Sequence, residues 1–294
     1  MNICDLRNLN QGVVDCDFEL SVPKFIVFAP TNTVIEFGDL MGQLHALTQD
    51  SDPLKRAYPI AGRTWRTTDE STEPTEGSLD MGYTKQLLPG RAVYMLEWPS
   101  SVCSDRNIMK FNKYNGGALI INVDRLLIGS RNENGSMSPL PVEVSVWGGG
   151  FSGSGGEIQT IRMRVDFGMQ PDLLALAMAY KLNINDRIET LRGLRDIELQ
   201  LVNKTTESPF SATFRLVTGC DNVNLFDRFP MLATATNWRV NGVAPSAIAT
   251  VAAQKAYTLT FSARGHYEIS LAPVDVLKDA GIIGFEAVPF TITI

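Results

Sequence analysis

Residues 257–262 read Tyr-Thr-Leu-Thr-Phe-Ser, and this stretch decides the fold class. Tyr257, Leu259 and Phe261 fall on one side, while Thr258, Thr260 and Ser262 fall on the other. A period of two is the geometry of a strand with one face in a core and one in water. IELQLV (197–202), SATFRLVT (211–218) and YEISL (267–271) alternate in the same way, and EAVPFTITI (286–294) ends on a strand with Pro289 marking an edge or bulge. Earlier in the chain, KFIVF (24–28), AVYML (92–96), ALIINV (118–123) and VEVSVW (142–147) are short runs rich in β-branched and aromatic residues.

The connections fit antiparallel hairpins. Asn115-Gly116, Asn134-Gly135 and Asn241-Gly242 lie between apolar runs, and Asn-Gly accepts the positive φ angles of tight turns. Helices are few. One is expected over 39–48 with Asp39 as N-cap, a second over 171–181 with Pro171 in its first turn, and a third from Pro273 to Ala280, stopped by Gly281. The chain is therefore expected to be mainly β in two domains. Residues 1–170 would form a hairpin-rich antiparallel sandwich or barrel with a flanking helix, and residues 171–294 a second β-sandwich of the immunoglobulin-like kind.

At 294 residues, such a chain buries a sizeable core without disulfide or metal staples. The cysteines Cys4, Cys16, Cys103 and Cys220 are widely spaced with no CxxC pair, and are expected to be small buried apolar residues in a reducing compartment. No stretch approaches the roughly 20 apolar residues of a membrane span, and the first residues lack a signal-peptide pattern, so a cytoplasmic origin without a membrane partner is expected. Residues 1–170 hold 15 Lys and Arg against 20 Asp and Glu, a net −5 of the chain's −6. An acidic half lacks the clustered cations that grip phosphates, which argues against gripping nucleic acid but not against a surface past which DNA slides without adhering.

Little in the sequence points to catalysis. The two histidines, His45 and His266, have no neighbouring His or Cys at ligand spacing, and HExxH, zinc and GxSxG patterns are missing. No catalytic residue, metal ligand or cofactor is therefore expected. The glycine-rich WGGGFSGSGGE (147–157) lacks the Lys-Ser/Thr of a phosphate loop; Glu157 and a strand-like IQTIRMRV follow instead. It reads as a long hairpin tip, with Gly149, Phe151, Gly153 and Gly155 as assembly-contact candidates. TTDESTEPTEGSLDMG (67–82) holds Asp69, Glu70, Glu73, Glu76 and Asp80 with no cation, at spacings that do not match a calcium loop. It reads as an exposed loop, and its five carboxylates are the second group of assembly candidates.

The order of features in the first 170 residues resembles a known family. GVVDCDF is followed by KFIVF, the Glu-Pro-Thr segment TDESTEPTEGSLDMGYTKQ, Gly90-Arg91 leading into AVYMLEW, the ALIINVDRLLIG hairpin, and a glycine-rich tip before IQTIRMRVDFG. This is similar to the tail-tube, or major tail, proteins of bacteriophages, especially those infecting Bacteroidetes. The resemblance implies a sandwich or barrel domain with one flanking helix, assembled into rings, expected to be hexameric, that stack into a tube around passing genome DNA. It also implies other virion proteins as partners, a virion location after assembly in the host cytoplasm, and a second half that decorates the tube or repeats its fold. The alternatives are a tail hub or terminator protein and a double jelly-roll capsid subunit. Further off stand a carboxylate-based carbohydrate-active enzyme using Glu73 and Glu76 and a carbohydrate-binding or adhesin module.

Overall fold

The computed structural model describes residues 3–5, 23–60, 66–71, 75–78, 84–88, 90–148, 159–169, 172–173, 176–183, 186, 188–219 and 222–294. The chain is mainly β, in antiparallel sheets with short helices, and no sheet closes into a barrel among the described residues. It divides into two units: 1–48 with 54–192, and 49–53 with 193–294.

The first unit is built on one sheet of eleven strands. Its main path runs β1 (Ile3–Asp5), β13 (Ala177–Lys181), β9 (Leu126–Arg131), β8 (Asn115–Asn122), β11 (Leu140–Gly148), β12 (Thr160–Met169), β7 (Arg91–Pro99) and β4 (Arg66–Asp69). A branch leaves β8 through β2 (Pro23–Ala29) to β3 (Tyr58–Ile60), and β10 (Met137–Ser138) pairs with β9. The apolar runs KFIVF and ALIIN have a physical cause. Alternate residues of β2, β8 and β9 enter two different cores, so neither face can be polar. Ile26, Phe28, Ile120 and Ile128 join one core with Val144, Met163 and Trp98. Phe25, Val27, Leu119 and Leu127 join the other, with Leu40 and Leu44 of α1 (Leu40–Thr48). The flanking helix is thus the cover of the second core. Its start is the expected one: Oδ1 of Asp39 accepts the Gly42 N–H at 3.1 Å. A further helix, α2 (Val102–Met109), connects β7 to β8 and places Ile108 in the first core. β11 and β12 carry one exposed face, and there the alternation is clean.

Three expectations are corrected in this unit. The helix expected over 171–181 gives way: Asp172, Leu173 and Leu176 are helical, but Ala177–Lys181 is a strand paired antiparallel with β9. Ala179 faces one core and Met178 and Tyr180 the other, so AMAYK is apolar on both sides, a pattern that leaves a helix and a buried strand indistinguishable. Asn115-Gly116 is not a turn but the start of β8, opposite Glu143 and Val142. The chain turns earlier, where Lys113 has φ +66°. A Cβ on Gly117 would come within 2.5 Å of Pro139 and 2.8 Å of the Ala29 carbonyl, so this glycine is there for close strand approach. The acidic loop 67–82 is partly sheet: β4 pairs with β7, and β5 (Thr75–Ser78) pairs with β6 (Thr84–Leu88).

The second unit is a sandwich. A five-stranded sheet, β17 (Ile248–Val251), β18 (Ala256–Phe261), β15 (Phe210–Thr218), β14 (Arg195–Thr205) and β20 (Phe285–Ala287), shares one core with the three-stranded sheet β16 (Trp238–Val240), β19 (His266–Leu271) and β21 (Phe290–Thr293). All pairings are antiparallel except the parallel β14–β20. Tyr257, Leu259 and Phe261 all enter the core, as their spacing requires. Asn241 (φ +51°) and Gly242 (φ +80°) form the expected two-residue turn, with Val240 and Val243 exchanging both backbone hydrogen bonds. The helix expected before Gly281, α3 (Val274–Asp279), also ends as its sequence requires. Gly281 (φ +83°) donates to the Lys278 carbonyl and Ile282 to that of Leu277, while Ile282 and Leu277 are both fully buried.

Candidate functional site

The assembly candidates fall unevenly on the structure. Asp69 ends β4 opposite Tyr94, and Glu70 is exposed with its N–H bonded to the Val93 carbonyl at 2.9 Å. Glu76 lies in β5 opposite Gln86. Glu73, Asp80, Gly149, Phe151, Gly153 and Gly155 lie outside the described residues. β11 and β12 run antiparallel up to Gly148 opposite Ile161, so residues 149–158 connect the two arms of a hairpin. The side chains of all four cysteines also lie outside the described set.

The exposed face of β7, β12 and β11 is charge-balanced rather than acidic. Arg91 holds Asp166 with two hydrogen bonds, 3.0 and 3.3 Å long, and Arg164 approaches the same carboxylate at 3.4 Å. Arg162 pairs with Glu97 at 2.9 Å, and Trp147, 39% exposed, lies opposite Arg162. Asp166 and Glu97 of this face are thus paired with arginines of their own or the neighbouring strand.

Both histidines are on the surface. Nε2 of His45 lies 3.4 Å from the Thr190 hydroxyl, and Nδ1 of His266 lies 2.8 Å from that of Thr293. Among the described residues, no three His, Cys, Asp or Glu side chains gather as metal ligands, and no helix is long and apolar enough to cross a membrane.

One concave site forms within the second unit, and the sequence reading passed it over. A pocket of about 390 Å³ is lined by Phe226, Asp227, Pro230, Ala233, Thr250 and Tyr257. Its position follows from local chemistry. Oδ1 of Asn224 accepts the Phe226 N–H at 2.9 Å, and its Nδ2 donates to the Lys255 carbonyl at 3.1 Å. Asn224 thereby ties the 225–229 turn to the β17–β18 connection. That connection is also held by Arg215, whose Nε donates to the Gln254 carbonyl at 2.9 Å. Lys255, in the left-handed region at φ +48°, pairs through Nζ with Oδ2 of Asp227. Opposite, Thr250 and Tyr257 are direct cross-strand partners and line the pocket together.

The Tyr257 ring is packed between Phe226 and Trp238, at 5.2 and 5.5 Å. Only 1% of the residue is exposed, and its hydroxyl is not one of the buried side-chain atoms left without a hydrogen-bond partner among the described residues. Burial, and secondarily the Asp227 carboxylate, push its pKa up to about 12. The phenol therefore stays protonated, a donor, at any physiological pH. Nothing in YTLTFS beyond its alternation pointed here, because the pocket is made by residues that only the fold brings to Tyr257. Comparison of the chain with known proteins finds no matching family model and no matching curated protein.

Proposed function

We propose that the chain is a non-enzymatic structural subunit that assembles with copies of itself, as the ring-forming subunit of a phage tail tube with a DNA-conducting lumen. The observation that carries the reading is the open sheet of the first unit. Its terminal strands β4 and β1 are each paired on one side only among the described residues. An unpaired edge is a template for another strand, and a ring of subunits satisfies it by continuing the sheet from one protomer to the next. The order of elements in residues 1–170 supports the same reading, as does the long hairpin of β11 and β12. In this reading the charge-balanced face of β7, β12 and β11 meets protein, and the acidity of the first half belongs to other surfaces. Among the described residues the two units differ in their sheets, eleven strands plus two against five plus three, which favours a tube subunit over two similar capsid barrels.

Negative-stain electron microscopy of the purified full chain tests the proposal. Rings or stacked tubes are expected; a uniformly monomeric preparation at high concentration, or spherical shells, would overturn it. Deleting residues 149–155 should leave a folded monomer that no longer polymerises, and normal tubes from that variant would remove the hairpin tip from the account.

A further inference from the structure

We propose that the turn joining β8 to β9 holds a small monovalent anion, chloride or its like, on Nδ2 of Asn122 and Nε of Arg125. Both atoms are buried donors with no hydrogen-bond partner in the protein, and Asn122 is fully buried. Such orphaned donors are rare in folded proteins, and each costs stability unless something other than protein accepts from it. The two belong to a single four-residue turn, in which the Arg125 N–H donates to the Asn122 carbonyl at 3.2 Å. Room beside the turn comes from a bulge in β2. Pro23 lies opposite Asn122 and Phe25 opposite Ile121, so Lys24 is an extra residue and the ladder is broken there.

Neither donor is free to turn away. Oδ1 of Asn122 accepts the Leu126 N–H at 2.8 Å, a bond that only the amide oxygen can make, so the side on which Nδ2 lies is fixed. One terminal nitrogen of Arg125 donates to the carbonyls of Asn183 and Asp186, at 2.6 and 2.7 Å, which fixes the guanidinium plane and with it the direction of the Nε–H. Arg125 itself sits at φ +65°, a conformation disfavoured for an L side chain. The ligand follows from the donors. Both unmet atoms donate, so the ligand accepts twice; a water does so only by finding acceptors for its own two hydrogens. The guanidinium is charged at any pH, and the carbonyls that hold it carry no charge to offset it. Around the turn stand three cations, Arg125, Lys24 in the bulge and Lys181 opposite Leu126, against two carboxylates, Asp124 and Asp186. A polyatomic dianion such as phosphate would bury two charges and four oxygens on two donors, whereas a single-atom anion needs no more than the site offers.

Chloride NMR on the full chain tests this, because a bound ion broadens the resonance beyond its width in buffer and bromide displaces it. Excess broadening that bromide removes is expected. Asn122→Asp keeps an acceptor for the Leu126 N–H but puts a carboxylate where the donor was, and Arg125→Gly keeps the left-handed backbone without the guanidinium. Each should weaken chloride binding by about tenfold or more, the loss of one charge-assisted hydrogen bond. Arg162→Ala, at an exposed arginine of β12, should change nothing. Both test variants also loosen the turn, so crystals of the unaltered chain grown in bromide supply a second reading, in which an anomalous peak in contact with both nitrogens is expected. The proposal is overturned by any of three results: no excess broadening with the unaltered chain, broadening that survives both Asn122→Asp and Arg125→Gly, or a water in place of bromide at the two nitrogens.

Discussion

Trp238 and Tyr257 are neighbouring aromatics in one core, with ring centres 5.5 Å apart and almost no exposure, yet their polar atoms differ. Nε1 of Trp238 donates to the Leu232 carbonyl at 2.8 Å, whereas the Tyr257 hydroxyl has no protein partner among the described residues. Trp238→Phe and Tyr257→Phe therefore probe the same core with opposite expectations. The tryptophan change removes roughly three buried heavy atoms, about 2 kcal/mol at about 0.8 kcal/mol per methylene-sized group. It also orphans a buried carbonyl, at about 1–3 kcal/mol. The sum is about 3–5 kcal/mol. Tyr257→Phe removes an oxygen that no protein group misses, so a change below about 1 kcal/mol, of either sign, is expected. Hydrogen exchange followed by mass spectrometry over peptides of β15 and β18 reports this locally. In Trp238→Phe the slowest amides there should exchange faster by a hundredfold or more, since each 1.4 kcal/mol is about tenfold. In Tyr257→Phe they should stay within about fivefold. Comparable acceleration in both variants would refute the reasoning, because it would mean that the Tyr257 hydroxyl already has a partner inside the fold.

The same residue sets an alkaline limit. Its phenol titrates near 10 when unfolded and is pushed up to about 12 in the fold, so the fold favours the protonated form. That contribution is fully present below about pH 10 and is lost as the pH rises toward about 12; Tyr257→Phe should flatten the stability profile across this window in urea titrations. Asp39→Ala removes the acceptor for the Gly42 N–H and should cost about 1 kcal/mol, read as faster exchange over α1. Gly281→Ala keeps its steric room, since the added Cβ would lie no closer than 3.5 Å to Met231, and should cost about 1–2 kcal/mol from the left-handed backbone alone, measured by urea denaturation.

What the sequence made legible is what local chemistry decides. Asp39 and Gly281 mark helix ends because an N-cap and a left-handed stop depend on one or two residues. The β18 alternation is legible because one face meets a single core and the other meets water. The strand at 177–181 was not, since both of its faces are buried and the two-residue period vanishes. Nor were β4, β5 and β6, where the ladder is made by backbone groups that every residue carries, so a polar segment hides its pairing. The run Asn115-Gly116-Gly117 misled for a related reason: glycine serves a turn and a close approach equally, and only the position of Pro139 tells them apart. The pocket was illegible because its lining comes from separate stretches of chain, 226–233, Thr250 and Tyr257, that only the fold brings together.

The two units also treat their sheet edges differently, and this bears on where assembly can occur. Beyond its three-residue pairing with β20, β14 continues through Leu199–Thr205 with no strand on its outer side among the described residues, and Leu201 and Val202 are exposed there. Such an edge invites uncontrolled pairing. Two features oppose it. The register slips between Leu201 and Asn203, a bulge that bends the edge, and Lys204 reaches back so that its Nζ donates to the Thr293 carbonyl at 3.1 Å. A stranger strand adding here would meet an irregular ladder and a lysine stem rather than a flat template. β4 pairs with β7 in even register over Arg66–Asp69, and β1 pairs with β13 in even register over Ile3–Asp5. If sheets continue between protomers, the geometry favours the regular edges of the first unit, which leaves the second unit and its pocket free to meet something other than a copy of the chain.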